Sequence, residues 1–162
     1  MNILLREAVK NDMASVLLLI QELATFEKEH HAVEVTAEDL KRDGFGEAPA
    51  FKVFIAEVDG KIVGMALFYE RYSTWKGRII HLEDLIVKQE FRGQGVGKAL
   101  YTKVLTYAND RKVKRVSWEV LDWNTTAIDF YVSSGAKIME GWQVVHMNEQ
   151  NLRNFSSGKI MK

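Results

Sequence analysis

The stretch Gln89-Glu-Phe-Arg-Gly-Gln-Gly-Val-Gly-Lys-Ala-Leu100 places three glycines within five residues, between an apolar strand pattern and a helix pattern. Glycines there permit a tight turn that directs several backbone N–H groups toward one point at the N-terminus of the following helix. Backbone donors and the positive end of the helix dipole together favour phosphate. The segment therefore predicts a phosphate-binding loop in an α/β protein. A flexible connector is the alternative, but it accounts poorly for three glycines with a flanking Arg92.

The residues of this loop do not fit two common nucleotide-binding motifs. A Walker loop needs a glycine at position 92 and Ser or Thr at position 99, where Arg92 and Ala99 stand. A dinucleotide fingerprint starting at Gly93 needs Gly or Ala where Lys98 stands. Another phosphate-bearing ligand is therefore expected.

Outward from the loop, hydrophobic spacing predicts the order β-α-α-β-β-β-α-β-α-β, a single α/β domain over residues 1–162 around a mixed sheet. The predicted strands are Ile3–Glu7, Phe51–Val58, Lys61–Tyr72, Arg78–Val87, Arg115–Leu121 and Trp142–Met147. Asp59-Gly60 predicts a tight hairpin between the second and third strands. Four helices are predicted. The first is capped by Asp12 and runs to Glu29, and the second begins at a Thr36–Asp39 capping box and ends near Gly44 and Gly46. The third is Gly97–Asp110, and the fourth is Thr125–Ser134, with Gly135 as its cap.

Composition excludes several function classes. The 162 residues contain 22 basic and 22 acidic side chains, so the chain has no overall field to attract nucleic acid or an anionic membrane. No stretch approaches the length of about 20 uninterrupted apolar residues that a membrane-spanning helix needs. A cytoplasmic protein is therefore expected. The absence of cysteine excludes disulfides, thiolate metal sites and a cysteine nucleophile. The four histidines form no metal-binding pattern, so no metal is expected.

Two motifs resemble those of the GNAT superfamily of N-acetyltransferases. Arg92-Gly-Gln-Gly95-Val-Gly97 is similar to the loop with which that family holds the pyrophosphate of coenzyme A, and Asn124 to Gly135 is similar to its second motif. The segments that narrow the resemblance to the spermidine/spermine (diamine) acetyltransferases and their thialysine-acetylating relatives are Leu23–Glu27, His81–Val87, Asp43–Glu47, Asp122–Asn124 and Glu140–Trp142. The resemblance implies a mixed, mostly antiparallel sheet flanked by helices, acetyl-CoA as co-substrate, a small cationic amine as acceptor, and a homodimer.

The resemblance also implies which residues contact the cofactor. These are Leu85, Ile86, Val87, Arg92, Gly93, Gln94, Gly95, Val96, Gly97, Lys98, Asn124 and Tyr131. A tyrosine in an apolar helix is ordinarily core packing, but similarity to the family makes Tyr131 the acid that protonates the departing thiolate. A reference pKa of about 10, against about 8.5 for a thiol, suits that transfer.

Two adjacent acids, Glu83 and Asp84, interrupt an apolar strand just before the glycine loop. An amine with a pKa near 10.4 must lose a proton before it attacks a thioester, and a nearby carboxylate is the expected device. Adjacent strand residues face opposite sides unless a bulge intervenes, so one acid or both enter the site. A strand end meeting solvent is the alternative. The resemblance favours Glu83 as the residue that handles the proton through water.

Acids and aromatic residues are also candidates for binding the acceptor. Glu27 ends the first helix, where composition alone predicts a solvated charge and the resemblance implies a substrate contact. Tyr72 and Trp75 precede the Glu83 strand, and with Asp84 they complete the predicted acceptor site. Two alternatives stay open: a protein lysine or N-terminal acetyltransferase, and an acetyl-CoA-binding domain without catalysis.

Overall fold

A computed structural model describes residues 2–159 of the chain. The chain divides into two compact units, Met1–Leu121 and Asp122–Lys162. The elements of the first unit are β1 (Leu4–Glu7), α1 (Met13–Phe26), α2 (Ala37–Phe45), β2 (Lys52–Val58), β3 (Lys61–Ser73), β4 (Gly77–Val87), α3 (Val96–Asp110) and β5 (Val116–Ser117). Those of the second are α4 (Thr125–Ser133) and α5 (Glu149–Ser156). That residues 1–162 form one domain stays a prediction.

The sheet has the order β1-β2-β3-β4-β5. Its first three pairs are antiparallel, and β4 pairs with β5 in parallel. The predicted mixed, mostly antiparallel sheet is confirmed. Asp59 and Gly60 both adopt the left-handed backbone that a two-residue hairpin needs, which sets the register of β2 against β3.

Helices pack on both faces of this sheet because its strands alternate. Val53 and Ile55 belong to one buried cluster with residues of α1 and α2. The intervening Phe54 turns to the opposite face, where its ring meets Tyr107 of α3 at a centroid distance of 5.9 Å. The core therefore fixes α1 and α3 against opposite sides of the strands that carry the predicted site.

Side-chain hydrogen bonds show how the first two helices begin. Thr36 accepts the Asp39 N–H and Asp39 accepts the Thr36 N–H, so the predicted capping box is confirmed. Asp12 is the N-cap residue of α1, as predicted, but its carboxylate makes no capping hydrogen bond to that helix: it accepts the Val9 N–H at 2.7 Å and pairs with Arg6.

Three predicted elements differ from the structure by more than one residue. Helix α1 ends at Phe26 and not at Glu29, because Lys28 adopts a left-handed backbone. Strand β5 covers only Val116–Ser117, where it pairs with β4. The predicted strand Trp142–Met147 is wrong: these residues form neither helix nor strand, and α5 follows them, capped by Asn148. A strand forms only where another strand pairs with it, and the alternation of apolar and polar residues does not by itself provide that partner.

Candidate active site

The glycine loop has the backbone that phosphate binding requires. Gly93 and Gly95 have φ of 71° and 87°, a left-handed conformation that strongly favours glycine. Gly95 is the N-cap of α3, whose first N–H groups have no partner within the helix. A Cβ at either glycine would meet no atom within 4 Å, so the space in front of the loop is open. The N-terminus of α3 is thus presented to a ligand.

Two side chains of the loop stabilise the loop itself. The Arg92 Nε donates to the Val87 carbonyl at 2.9 Å, and its guanidinium lies 5.1 Å from the centre of the Phe26 ring. Gln94 donates to the Glu90 carbonyl at 2.8 Å. Arg92 therefore ties the loop to the end of β4 and to the end of α1.

The side of α3 next to the loop carries basic side chains. Gly95 and Lys98 line a shallow groove of about 470 Å³ with Lys103 of the same helix. Val96 and Gly97 complete the first turn; Val96 is buried, and a Cβ at Gly97 would lie 3.6 Å from Val87. This turn therefore packs against β4, and the groove, which also includes Leu5 of β1, has a mainly apolar lining.

The edge of β4 beyond His81 lacks a strand neighbour in the described chain. Strand β5 pairs only with Ile80 and His81, and no strand of residues 2–159 pairs with β4 past that point on the β5 side. Leu85, Ile86 and Val87 form this segment, which leads directly to the glycine loop. The Val87 carbonyl already accepts the Arg92 Nε–H, and the other backbone groups on that side have no strand partner among the described residues and are available to an extended ligand.

A β-bulge accommodates the two adjacent acids. Leu82 pairs with Phe68 and Asp84 pairs with Leu67, which leaves Glu83 as an extra residue in β4. Leu67 belongs to the cluster formed with α1, so Asp84 faces the α1 side of the sheet. Glu83 also faces that side, because it meets Tyr69, two residues from Leu67 along β3. The bulge therefore brings both carboxylates to one face.

Burial and like charge perturb the acids on this face. Burial, followed by the neighbouring Glu83 and Glu27 carboxylates, raises the pKa of Asp84 to about 7. Burial also raises the pKa of Glu27. Three acids from α1 and β4 thus converge, and a cation placed among them would relieve their mutual repulsion.

Sequence reasoning missed three residues around Glu83. The Tyr69 hydroxyl donates to Glu83 Oε2 at 2.9 Å, and the buried His81 places Nε2 3.6 Å from the same oxygen. His81 Nδ1 lies 3.0 Å from Ser117 Oγ. The signal in the sequence was the two-residue spacing of His81 and Glu83, which predicts a shared face of the strand.

The predicted aromatic residues lie away from these acids. Tyr72 pairs with Arg78, five residues before Glu83, and Trp75 lies in the turn between β3 and β4. At about 3.3 Å per strand residue, Tyr72 is roughly 16 Å from Glu83 along the sheet. Both side chains are exposed, Tyr72 by 72% and Trp75 by 76%. They are within reach only of an acceptor that extends from the acids to the turn between β3 and β4.

Two predicted residues belong to the second unit. The Asn124 side chain accepts the Ala127 N–H at 3.3 Å and caps α4. Tyr131 lies on α4 with 9% of its surface exposed. Gly135, with φ of 96°, ends the helix as predicted, with the Ala136 N–H donating to the Tyr131 carbonyl.

Comparison with known proteins decides the family. Residues 15–136, which include both motifs, match the model of the acetyltransferase (GNAT) family. The chain belongs to this family.

Curated and solved relatives agree with that assignment. The chain is 39% identical over 165 residues to thialysine N-epsilon-acetyltransferase of Bos taurus, covering 95% of this chain and 97% of that protein. It is 37% identical to human spermidine/spermine N(1)-acetyltransferase-like protein 1, covering 91% of this chain and 23% of that protein. An integron cassette protein of V. cholerae shares the fold at a TM-score of 0.78 and 22% identity, covering 96% of this chain and 98% of that one.

This GNAT chain is an N-acetyltransferase, and its family uses acetyl-CoA. Its own residues fit that co-substrate. The left-handed glycines and the start of α3 suit a pyrophosphate, and the unpaired edge of β4 suits an extended arm. Within residues 2–159, no helix is long and apolar enough to cross a membrane, and no three metal-binding side chains are grouped around one point.

Proposed function

We propose that this enzyme acetylates a primary amine of a small acceptor that carries a second positive charge, such as a diamine or a lysine-like amino acid. The observation that carries the proposal is the convergence of Glu83, Asp84 and Glu27 on the α1 side of the β4 bulge. The bulge lies a few residues before the glycine loop, on the strand that leads to it. A cationic acceptor bound at the bulge would therefore lie on β4, a few residues from the cofactor loop.

Glu83 prepares the amine for attack. At pH 7, removing a proton from an amine with a pKa near 10.4 costs about 4–5 kcal/mol. The Glu83 side chain is half exposed, so water reaches its carboxylate and relays the proton from the acceptor. The neutral amine then attacks the acetyl carbonyl directly in a ternary complex. A cysteinyl thioester route is excluded because the chain has no cysteine.

Asp84 and Glu27 recognise the second charge of the acceptor. Binding a cation between them costs little further desolvation of the carboxylates, because both are already partly removed from water, and their attraction offsets the desolvation of the cation. The binding of the cation also favours the ionised form of Asp84. Tyr72 and Trp75 would contact only an acceptor long enough to reach the β3–β4 turn.

Acetyl-CoA supplies the thioester, and the chain supplies the groups that bind it and that accept or donate protons. The amides of Gly93 to Lys98 hold phosphate, and the backbone of Leu85 to Val87 orients the acetyl carbonyl. Tyr131 donates its phenolic proton to the departing thiolate. These assignments are supported by the family to which the chain belongs. A cytoplasmic homodimer, with the exposed segment from Trp142 to Met147 at its interface, is part of the same proposal.

The names of the relatives support this acceptor class, because thialysine and spermidine both carry more than one amine. The decisive experiment measures release of free thiol from acetyl-CoA with thialysine, spermidine, a monoamine of equal length and a histone-like peptide. A thiol reagent is suitable because the enzyme contributes no thiol of its own. We expect the highest kcat/KM with thialysine and spermidine, because each carries a further ammonium group besides the amine that is acetylated. Preference for the peptide would indicate a protein acetyltransferase, and binding without turnover would indicate a non-catalytic domain.

The role of Glu83 has its own test. Glu83→Gln should reduce kcat/KM most at low pH and recover partly as the pH approaches the pKa of the amine. A parallel loss at every pH would mean that Glu83 only binds the acceptor.

A further inference from the structure

A row of polar side chains crosses three strands beside Glu83. Tyr69 of β3 pairs with His81 of β4, and His81 pairs with Ser117 of β5. The Tyr69 and His81 rings lie 5.4 Å apart between centroids. The row ends on the Glu83 carboxylate, because the same Oε2 atom faces both the Tyr69 hydroxyl and His81 Nε2.

The hydroxyl of Tyr69 is a proton donor to this carboxylate. Burial raises the pKa of Tyr69, and its hydrogen bond to Glu83 does so further, so the phenol keeps its proton. The donor–acceptor distance of 2.9 Å is that of a hydrogen bond. A carboxylate half exposed to water has several rotamers available, and this bond selects one of them.

The imidazole of His81 supports the same rotamer from the buried side. His81 is 7% exposed, and burial lowers its pKa, so the ring is neutral at pH 7. The negative charge of Glu83 favours the tautomer with the proton on Nε2. Ser117 Oγ then donates to the unprotonated Nδ1. With Nε2 already protonated, the ring cannot accept a proton from Glu83, so it orients the carboxylate and does not relay the proton.

We infer that Tyr69 and His81 are positioning residues that hold the Glu83 carboxylate toward the acceptor amine. This inference rests on the proposed function of Glu83. It adds two residues that act only through Glu83, so their removal has no effect once Glu83 has lost its charge.

Tyr69→Phe deletes the donor and keeps the ring. We expect kcat with a dicationic acceptor to fall about tenfold, as for the loss of one hydrogen bond to a charged group, while KM changes by less than about twofold. In the Glu83→Gln background the same substitution should change kcat by less than about twofold, because the carboxylate it positions is gone.

His81 offers a matched pair of variants. Gln places its amide N–H where His81 carries Nε2–H, whereas Phe fills the space without any donor. At 3.6 Å from Oε2 the Nε2–H attracts the carboxylate without a hydrogen bond, so we expect His81→Gln to retain at least half of the kcat and His81→Phe to lose less than Tyr69→Phe, about threefold. Both variants should keep acetyl-CoA affinity, measured by calorimetry, since the glycine loop is unchanged.

The outcomes separate the two layers of inference. If Tyr69→Phe causes equal fold losses in the wild-type and Glu83→Gln backgrounds, in an enzyme active on amines, the positioning role is overturned and the proposed function stays intact. Wild-type enzyme that acetylates no amine overturns both. If His81→Phe does not fold, the comparison of Tyr69→Phe in the wild-type and Glu83→Gln backgrounds still tests the positioning role. The Tyr69→Phe variant removes only a hydroxyl group and no atom of the buried core.

Discussion

Replacing Asp84 with Asn should stabilise the protein, and the gain should grow with pH. Burial, Glu83 and Glu27 raise the pKa of Asp84 to about 7, from 3.8 for the free side chain. Between these two values the native state binds a proton that the unfolded chain releases. Wild-type stability therefore falls as the pH rises from about 4 to 7, and the cost stays constant above 7. Asn lacks this ionisation and avoids the cost.

The magnitude follows from the two pKa values. A difference of about 3, at about 1.4 kcal/mol per pKa unit, corresponds to about 4 kcal/mol at pH 8. At pH 4 the native carboxyl is protonated and the unfolded one is only about half ionised, so the gain should be below about 1 kcal/mol. Chemical denaturation of both proteins, followed by circular dichroism at pH 4, 6 and 8, measures these differences.

The control is Asp59→Asn in the exposed β2–β3 turn, where Asn also accepts the left-handed backbone. It makes the same chemical change at a solvent-exposed site, so any pH dependence that both variants share does not come from the burial of Asp84. A gain for Asp84→Asn that is constant across pH, or a loss at pH 8, would refute the burial and charge repulsion described for this carboxylate. The stabilised variant should also bind a dicationic acceptor more weakly, because it lacks the carboxylate that is proposed to bind the second charge of the acceptor.

Three further predictions concern binding and catalysis. Gly95→Val should abolish measurable acetyl-CoA binding in calorimetry while circular dichroism stays native, because a β-branched residue disfavours φ of 87° and the loop amides lose their arrangement; unchanged affinity would exclude the loop as the phosphate site. Tyr131→Phe should lower kcat by about 10²–10⁴-fold with little change in KM, and a loss below about threefold would assign Tyr131 to packing. Glu27→Gln should raise KM for spermidine or thialysine about tenfold, or about 1.4 kcal/mol, and leave a monoamine of equal length nearly unaffected. Equal losses for both amines would give Glu27 a structural role.

Features that depend on neighbours in sequence could be predicted from the sequence. The capping box of Thr36 and Asp39, the Asp59-Gly60 turn and the glycine loop each close within a few residues, so local backbone preference decides them. The long strands β2 to β4 were also predicted, because runs of apolar residues are buried wherever the sheet forms. The chemistry of the cofactor loop followed from the same local signals.

Features that depend on distant partners were decided only by the tertiary structure. The alternation of apolar and polar residues predicted strands in residues 142–147 and 115–121, but of these residues only Val116 and Ser117 pair with another strand. The bulge that turns Glu83 and Asp84 to one face arises from the register of β4 against β3, which neither strand specifies alone. The pKa of Asp84 and the bond between Tyr69 and Glu83 need residues that are brought together by folding, with Tyr69 14 positions from Glu83. The sequence by itself determined the phosphate-binding loop and, through the resemblance of its two motifs, the reaction class. The arrangement of the carboxylates proposed to select the acceptor required the sheet, because electrostatic interaction depends on distance in space and not along the chain.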